Sequence, residues 1–256
     1  MQRSQALRLC VVTSHLVTAL RPFAAVLFDL DGVLTPTAEV HMRAWQQLFT
    51  NYLAERADDR PGYREQDYFD YIDGKPRYDG VRAFLESRSI TLAEGSPDDP
   101  PEAETVCGLG NRKNREFARV LAADGVEAYL GSVRLLDQLQ QRQVRMAVVS
   151  SSRNARPVLT AAGLLDRFPV IIDGNVAAER GLAGKPEPHT FLAAAADLGV
   201  GVQESVVVED AVSGVAAGRA GEFGLVVGVD RGAGAAKLEQ AGADLVVSDL
   251  EELVEA

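Results

Sequence analysis

Residues 24–35 read AAVLFDLDGVLT, and this stretch decides the fold. The uninterrupted apolar run that leads to Asp29 is typical of a parallel strand buried on both faces. Asp31 and Gly32 end the run. Because ligands bind beyond the carboxyl ends of the strands in an open parallel sheet, Asp29 and Asp31 are the first candidate functional residues.

The second half of the chain alternates short β-branched runs with alanine-rich stretches, a pattern typical of strand–helix–strand units. The predicted strands are residues 24–30, 145–150, 205–208, 225–229 and 244–247, with 170–172 as a short sixth. Crossover helices are predicted over 188–198 and 211–220, each followed by a glycine. The sequence therefore predicts an α/β fold with a doubly wound, Rossmann-like parallel sheet.

Between the first strand and residue 131, apolar residues recur at helical spacing and strand-like runs are lacking. A loop rich in proline and aspartate, residues 94–101, separates predicted helices. We therefore expect a helical cap inserted into the core. The expected domains are an N-terminal extension of mixed polarity without a packing signal (1–22), a core (23–35 and 131–256) and the cap (36–130).

Composition narrows the function classes. The 256 residues are 46% hydrophobic and 25% charged, as in a soluble globular protein. The net charge of −11 disfavours nucleic acid and anionic membranes as partners. No apolar run reaches the roughly 20 residues of a membrane span, and polar residues 13–15 interrupt any signal-peptide pattern. The two distant cysteines, Cys10 and Cys107, fit a reducing cytoplasm.

A second acidic pair, Glu209 and Asp210, follows the run of valines in the predicted strand at 205–208. Together with Asp29 and Asp31 these acids would repel each other on one rim of the sheet, and a hard cation such as Mg²⁺ would compensate. One acid could instead attack an electrophile while another transfers protons. A single acid after a strand is more often a helix cap. A calcium loop is disfavoured because Gly32 comes too early.

Anion-binding groups follow other strands. Ser150 lies before a predicted helix, where hydroxyl and backbone N–H groups can hold an anion, although serines also cap helices. Lys185 lies in a rigid Gly-Lys-Pro setting, although a lone lysine is usually a solvated charge. Residues 231–234 (RGAG) suggest a fragment of a phosphate loop, but the dinucleotide pattern is lacking and an ordinary strand-to-helix turn is favoured.

Taken in order, four segments resemble the motifs of the haloacid dehalogenase superfamily: residues 28–35, Ser150, 185–186 and 208–210. The resemblance implies that Asp29 is a nucleophile that forms an aspartyl phosphate and that Asp31 is the general acid/base. It implies that Ser150 and Lys185 bind the transferring phosphoryl group. The implied Mg²⁺ ligands are Asp29, the backbone carbonyl of Asp31, Glu209 and Asp210. Because a carbon–halogen substrate has no leaving oxygen that needs a proton, Asp31 favours phosphoryl transfer.

A narrower resemblance is to the β-phosphoglucomutase branch, carried by residues 29–45, 74–77, 112–114 and 150–155. It implies contacts with the sugar phosphate from Thr37, His41, Trp45, Gly74, Arg77, Lys113, Ser152 and Asn154. Pro36, Arg153 and a longer loop around residues 95–101 depart from the pattern of some relatives, which makes the cap contacts less specific than those of the core.

The expected activity is the Mg²⁺-dependent interconversion of β-D-glucose 1-phosphate and glucose 6-phosphate through β-glucose 1,6-bisphosphate. Arg77 would then serve the second phosphate of the bisphosphate, since its planar fork suits that group. Alternatives are a sugar-phosphate phosphatase and an inactive binding protein. His41 and Trp45 could simply pack in the core, and Arg77 and Lys113 could be solvated. The expected partner is a small sugar phosphate, and the expected state is a monomer.

Overall fold

The computed structural model describes residues 18–56 and 61–255, and these residues form one parallel sheet flanked by helices. The strands are β1 (Ala25–Phe28), β2 (Arg145–Val149), β3 (Val170–Ile172), β4 (Ser205–Glu209), β5 (Leu225–Val229) and β6 (Leu245–Val247). Their order is β3-β2-β1-β4-β5-β6. The first strand thus lies near the centre, and later strands are added on both sides of it. This order confirms the predicted doubly wound fold, and each predicted strand is present.

The helices of the cap are α1 (Thr37–Arg56), α2 (Glu65–Asp67), α3 (Arg77–Ser87) and α4 (Val106–Asp124), and a π-helical turn (Tyr68–Ile72) continues α2. The helices of the core are α5 (Leu130–Gln141), α6 (Ala155–Ala161), α7 (Gly174–Arg180), α8 (His189–Leu198), α9 (Val212–Ala220) and α10 (Ala235–Ala241). The crossovers α8 and α9 match the predicted helices to within one residue. Short 3₁₀ turns lie at Leu165–Arg167, Val202–Glu204 and Leu250–Leu253.

The first strand is shorter than predicted: it ends at Phe28 and not at residue 30. The carbonyl of Leu30 accepts hydrogen bonds from the backbone N–H groups of Leu34 (3.0 Å) and Thr35 (3.1 Å), so the chain turns there. Asp29 still donates its N–H to Val208 at 2.9 Å. The strand therefore presents Asp29 at its carboxyl end, and Asp31 lies in the turn.

The core occupies both faces of the sheet. Phe28 and Val208 pack on one face, whereas Leu27 and Val207 pack on the other. This two-sided burial explains why the strands read as continuous apolar runs. Leu20, which the domain prediction assigns to the N-terminal extension, is buried in the first of these clusters.

The cap has an apolar cluster of its own, in which Trp45, Phe49 and Phe84 stack. Within residues 36–56 and 61–130, helices predominate and no named strand occurs. The loop at 94–101 lies between α3 and α4, as predicted. Phe117 on α4 packs with the core beside Leu34, so α4 joins the cap to the core.

Cys107 is a buried free thiol in the cap. Cys10 and the residues that bear on a signal peptide lie outside the described residues. Among residues 18–56 and 61–255, no helix combines the length and apolar composition that a membrane crossing requires.

Candidate active site

A pocket lies between the cap and the carboxyl ends of β1, β2 and β4. Its lining from the core is Asp29, Asp31, Ser151, Ser152, Asn154, Glu209, Asp210 and Ala211. Its lining from the cap is His41, Trp45, Tyr68, Ile72, Asp73, Gly74, Lys75, Arg77 and Lys113. The fold therefore gathers most of the candidate residues of the core and the cap around one pocket. Thr37, Ser150 and Lys185 are not part of this lining, but each contacts Asp29 or Asp31.

Lys185 lies at the base of the site and is almost fully buried. Its Nζ donates to Asp29 Oδ1 (2.6 Å), Glu209 Oε1 (2.5 Å) and the carbonyl of Val149 (3.0 Å). Burial opposes the charge of the lysine, but the two carboxylates outweigh it and raise its pKa. The solvated-charge interpretation of Lys185 is therefore wrong, and the ammonium is fixed beside Asp29.

Asp31 is held in the turn after β1 by hydroxyl groups. Thr37 donates a short hydrogen bond to Oδ1, and Ser150 Oγ lies 3.4 Å from Oδ2. Burial alone would raise the pKa of Asp31, but the neighbouring His41 and Thr37 lower it to about 2. Asp31 is thus a carboxylate over the whole physiological pH range. It caps no helix, since α1 begins only at Thr37.

The acidic residues carry more negative charge than Lys185 can neutralise. Burial raises the pKa of both Asp29 and Asp210 well above the usual range, and neighbouring carboxylates add to this effect. Gly32 has a φ of +90° and lies so close that a Cβ there would be 1.9 Å from Asp210 Oδ2. The donor chemistry, buried carboxylate oxygens with excess charge, fits a hard divalent cation.

These carboxylates are not gathered as a finished metal site. Within the described ranges, no three His, Cys, Asp or Glu side chains are arranged to hold an ion. Two of the carboxylates, Asp29 and Glu209, are instead paired with the ammonium of Lys185. Ligation of Mg²⁺ by Asp29, Asp31, Glu209 and Asp210 therefore stays a prediction.

His41 and Lys113 form the part of the site that the cap contributes opposite Asp31. Lys113 Nζ forms a short contact with His41 Nδ1 and lies 5.1 Å from the ring centres of Trp45 and Phe117. Burial, with Arg77 adding to it, lowers the pKa of Lys113 well below its usual value. Lys113 is only 4% exposed, so its interpretation as a solvated charge is wrong.

One ring nitrogen of the buried His41 side chain lacks a hydrogen-bond partner among the described residues. Its Nε2 lies 3.4 Å from Asp31 Oδ1 but forms no hydrogen bond within the described part of the chain. The ring stacks on Phe117 with centres 4.0 Å apart. His41 therefore packs against an apolar neighbour and also presents a polar atom to the pocket, and Trp45 likewise belongs to the cap cluster while it lines the pocket.

Arg77 connects the cap to the loop after β2. Its Nη2 donates to Asn114 Oδ1 (2.8 Å), which also accepts from Asn154 Nδ2 (2.6 Å). Burial lowers the pKa of Arg77, which is half-buried rather than solvated. Ser152 forms a local turn, in which its Oγ accepts from the N–H of Asn154 (3.1 Å). Ser150 Oγ accepts from the N–H of Ser152 in the same way, at 3.1 Å.

The cap loop at 73–76 contacts two core loops and the first turn of α9. Ser151 Oγ donates to the carbonyl of Gly74 (2.7 Å), and Ser213 Oγ donates to the carbonyl of Asp73 (3.0 Å). Pro76 packs tightly on Gly184, because a Cβ atom added to residue 184 would lie 2.4 Å from Cγ of Pro76. The pocket beneath encloses about 80 Å³, room for only a handful of water molecules. The cap loop is thus in direct contact with the core at one side of the pocket.

The sequence gives no functional signal for some residues in and beside the pocket. Asp73 brings a further carboxylate from the cap, and burial together with Glu209 raises its pKa to about 7. Its only sequence signal is an acid before a glycine, which is also typical of an ordinary turn. Ser151 and Ser213 resemble helix-start serines in the sequence. Their contacts with the cap depend on how the two domains meet.

Comparisons with known proteins identify the family of this chain. The family model of haloacid dehalogenase-like hydrolases matches residues 23–221. A β-phosphoglucomutase of Mycobacterium tuberculosis is 52% identical over 240 residues, which cover 90% of this chain and 91% of that protein. Hexitol phosphatase A of Escherichia coli is 30% identical over 227 residues, which cover 89% and 91%.

Among solved structures, a β-phosphoglucomutase of Clostridium difficile superposes with a TM-score of 0.72 at 26% identity, covering 90% of this chain and 93% of that one. The similarity covers most of this chain, and so includes both the cap and the doubly wound core. The chain belongs to the haloacid dehalogenase-like hydrolase family, in its β-phosphoglucomutase branch.

Proposed function

We propose that this protein is a phosphomutase that interconverts β-D-glucose 1-phosphate and glucose 6-phosphate through an aspartyl phosphate at Asp29 and β-glucose 1,6-bisphosphate. The observation that carries the proposal is the lining of the pocket, where Arg77 and Lys113 of the cap share one space with Asp29. A phosphatase that acts on a sugar monophosphate needs cations at one phosphate only. A bisphosphate has two phosphates, and the second needs a cation of its own.

In the first half of the proposed cycle, the sugar 6-hydroxyl attacks the phosphoryl group on Asp29. The bond from phosphorus to Asp29 breaks, and the hydroxyl proton passes to Asp31. Asp31 starts this step as a carboxylate, which is the form that can accept a proton. The product is the bisphosphate, and Asp29 is free again.

In the second half, the bisphosphate has turned round and its C1 phosphate faces Asp29. An oxygen of Asp29 attacks phosphorus, the bond from phosphorus to O1 of the sugar breaks, and Asp31 returns the proton to O1. Glucose 6-phosphate leaves and the aspartyl phosphate is restored. Lys185 and Ser150 would stabilise the transferring group, since the first touches Asp29 and the second faces Asp31.

Members of this family generally use Mg²⁺. We propose Asp29, Glu209, Asp210 and the backbone carbonyl of Asp31 as its ligands in this chain. When bound, the ion would neutralise charge that develops on the phosphoryl oxygens. The raised pKa values of Asp29 and Asp210 support this assignment, because an added cation would favour the ionised forms that the nucleophile and ligands require.

The cap residues divide into two proposed roles. Arg77, Asn154 and Ser152 would bind the phosphate remote from Asp29. His41, with its unpaired Nε2, and Thr37 would orient Asp31, while Lys113, Trp45 and Gly74 would contact the sugar phosphate. We further propose that the protein acts as a monomer in the cytoplasm, with no nucleic-acid or membrane partner.

The test is one assay that follows two products. Purified protein is mixed with Mg²⁺, β-glucose 1-phosphate and a trace of β-glucose 1,6-bisphosphate, and both glucose 6-phosphate and free phosphate are measured. The proposal predicts glucose 6-phosphate that depends on the bisphosphate, with little free phosphate. Free phosphate without glucose 6-phosphate would indicate a phosphatase, and no turnover at all would indicate an inactive binding protein.

A further inference from the structure

Arg231 lies outside the pocket, in the turn between β5 and α10 that the sequence marks with the letters RGAG. Residues 231–234 do form an ordinary strand-to-helix turn, as favoured from the sequence. The side chain of Arg231, however, extends from this turn to the loop that carries the catalytic acids. Its Nε donates to the carbonyl of Gly32 at 3.1 Å.

The contact with Gly32 matters because of where this glycine lies. It directly follows Asp31, and its positive φ packs it against Asp210. Its N–H donates to the carbonyl of Thr35 at 2.8 Å, which closes the turn after β1. A hydrogen bond to its carbonyl therefore fixes the orientation of the turn that places Asp31 beside Asp29.

Arg231 also contacts the second connection between cap and core. Its guanidinium lies 4.0 Å from the ring centre of Tyr129, at the start of α5. The N–H of Tyr129 donates to the carbonyl of Leu34 at 3.0 Å, so the outgoing and returning connections of the cap are hydrogen-bonded to each other. One side chain thus touches both connections that join the cap to the core.

The remaining donors anchor this side chain to the end of the sheet. Its Nη1 donates to the carbonyl of Ser248 (3.0 Å), and its Nη2 donates to Asp249 Oδ2 (3.1 Å). The side chain is 22% exposed, so it is largely enclosed by these partners. Donors on three separate nitrogen atoms and a flat face in contact with an aromatic ring are properties of arginine that lysine lacks.

We propose that Arg231 is a positioning residue for phosphoryl transfer: through Gly32 and Tyr129 it holds the turn of Asp31 in register with Asp29 and sets the hinge of the cap. This inference rests on the proposed role of Asp29 as nucleophile, but it does not depend on which sugar is the substrate. A misplacement of about 1 Å at a catalytic group can cost about 10²-fold in rate.

Two matched variants separate positioning from charge pairing. Arg231→Lys keeps a positive charge near Asp249 but loses the fork to Gly32 and Ser248. Asp249→Asn removes the ion pair and leaves the Arg231–Gly32 contact in place, and asparagine can still cap the turn that follows. Tyr129→Leu removes the ring under the guanidinium without touching the arginine. Arg134→Gln, on the exposed pair with Glu251, is the surface control.

The reaction measured is the phosphorylation of Asp29 by acetyl phosphate with Mg²⁺, in which an Asp29 oxygen attacks phosphorus and acetate leaves. We expect Arg231→Lys to lower the maximal rate about 10²-fold, with less than about a threefold change in the half-saturating concentration. Tyr129→Leu should also lower the maximal rate, while the rates of Asp249→Asn and Arg134→Gln should stay near that of the wild type. Thermal unfolding of each variant identifies the temperatures at which all are folded.

The outcomes are distinct. Wild-type protein that takes no phosphoryl group on Asp29 would refute the proposed function. Wild-type protein that reacts while Arg231→Lys reacts equally fast would refute the role of Arg231, as would an equal loss in Asp249→Asn. Were Arg231→Lys not to fold, an unchanged rate in Tyr129→Leu would still overturn the proposal.

Discussion

Lys185 Nζ donates a 2.6 Å hydrogen bond to Asp29 Oδ1, although the two residues are 156 positions apart in the chain. The contact joins the end of the first strand to the loop that precedes α8. Because Glu209 binds the same ammonium, one buried cation serves two carboxylates. The stability of the site therefore depends on the positive charge of Lys185.

Lys185→Met should destabilise the protein in the absence of divalent cations. It leaves Asp29 and Glu209 buried without a positive partner, a change that typically costs about 3–5 kcal/mol. Urea unfolding in EDTA and in Mg²⁺ measures it. We expect Mg²⁺ to stabilise the variant more than the wild type, and equal gains from Mg²⁺ in both proteins would contradict this expectation.

Asp31→Asn should separate the two chemical roles of the acidic pair. Acetate is a leaving group that needs no proton, so phosphorylation of Asp29 by acetyl phosphate should change only a few-fold. Transfer to or from a sugar hydroxyl should fall by about 10²–10⁴-fold, the usual contribution of a general acid/base. Rapid-quench measurement of both reactions checks it. If the two reactions fall equally, Asp31 is not the proton carrier.

Arg77→Ala should impair the mutase cycle far more than the reaction with acetyl phosphate. A charge-assisted hydrogen bond to phosphate is worth about 1.5–3 kcal/mol, so kcat/KM for β-glucose 1-phosphate should fall by about 10–100-fold. Arg82→Ala, an exposed arginine on the same helix paired with Asp79 and Glu94, is the control. Equal losses in both variants would argue against a phosphate contact by Arg77.

Ser151→Ala together with Ser213→Ala should weaken closure of the cap. Each substitution removes one hydrogen bond from the core to the cap loop, worth about 1 kcal/mol or about a fivefold shift toward the open state. Water then reaches the aspartyl phosphate more often, so the ratio of free phosphate to glucose 6-phosphate should rise. Thr160→Ala removes a hydroxyl that bonds within its own helix and serves as the control. An unchanged ratio would show that these serines do not govern closure.

Asp73→Asn should stabilise the metal-free protein at high pH. The pKa of Asp73 in the folded state is about 7, above the value of about 3.9 for an unfolded chain. The folded state therefore binds more protons between these values, and stability falls as pH rises through this window. The variant lacks this loss, so its melting temperature should exceed that of the wild type by more at pH 8 than at pH 5. The same difference at both pH values would contradict the raised pKa.

The fold and the motif residues of the core could be predicted because each carries a local signal. Asp29, Lys185 and Asp210 each follow a strand or begin a crossover, and parallel strands bring such positions to one edge. The end of β1 could not be predicted, because it depends on the hydrogen bonds that the Leu30 carbonyl accepts from the N–H groups of Leu34 and Thr35.

The contacts between domains were the hardest to predict. Ser151 and Ser213 donate to backbone carbonyl groups. Since every residue has a backbone carbonyl, the sequence carries no signal for these contacts. The sequence predicts only an ordinary turn at Arg231, because its partners Gly32 and Tyr129 are distant in sequence. Such residues become recognisable only when the cap is seen against the core.

The most direct test of the central claim is the fate of the phosphoryl group on Asp29. The protein is first labelled with ³²P-β-glucose 1,6-bisphosphate in Mg²⁺ and then mixed with unlabelled β-glucose 1-phosphate. The position of the label is followed through the first turnover. Asp29→Asn, which should take up no label, is the control. A mutase predicts that the label passes to the bisphosphate and then to glucose 6-phosphate. Label released as inorganic phosphate at the same rate with or without the sugar phosphate would contradict the claim.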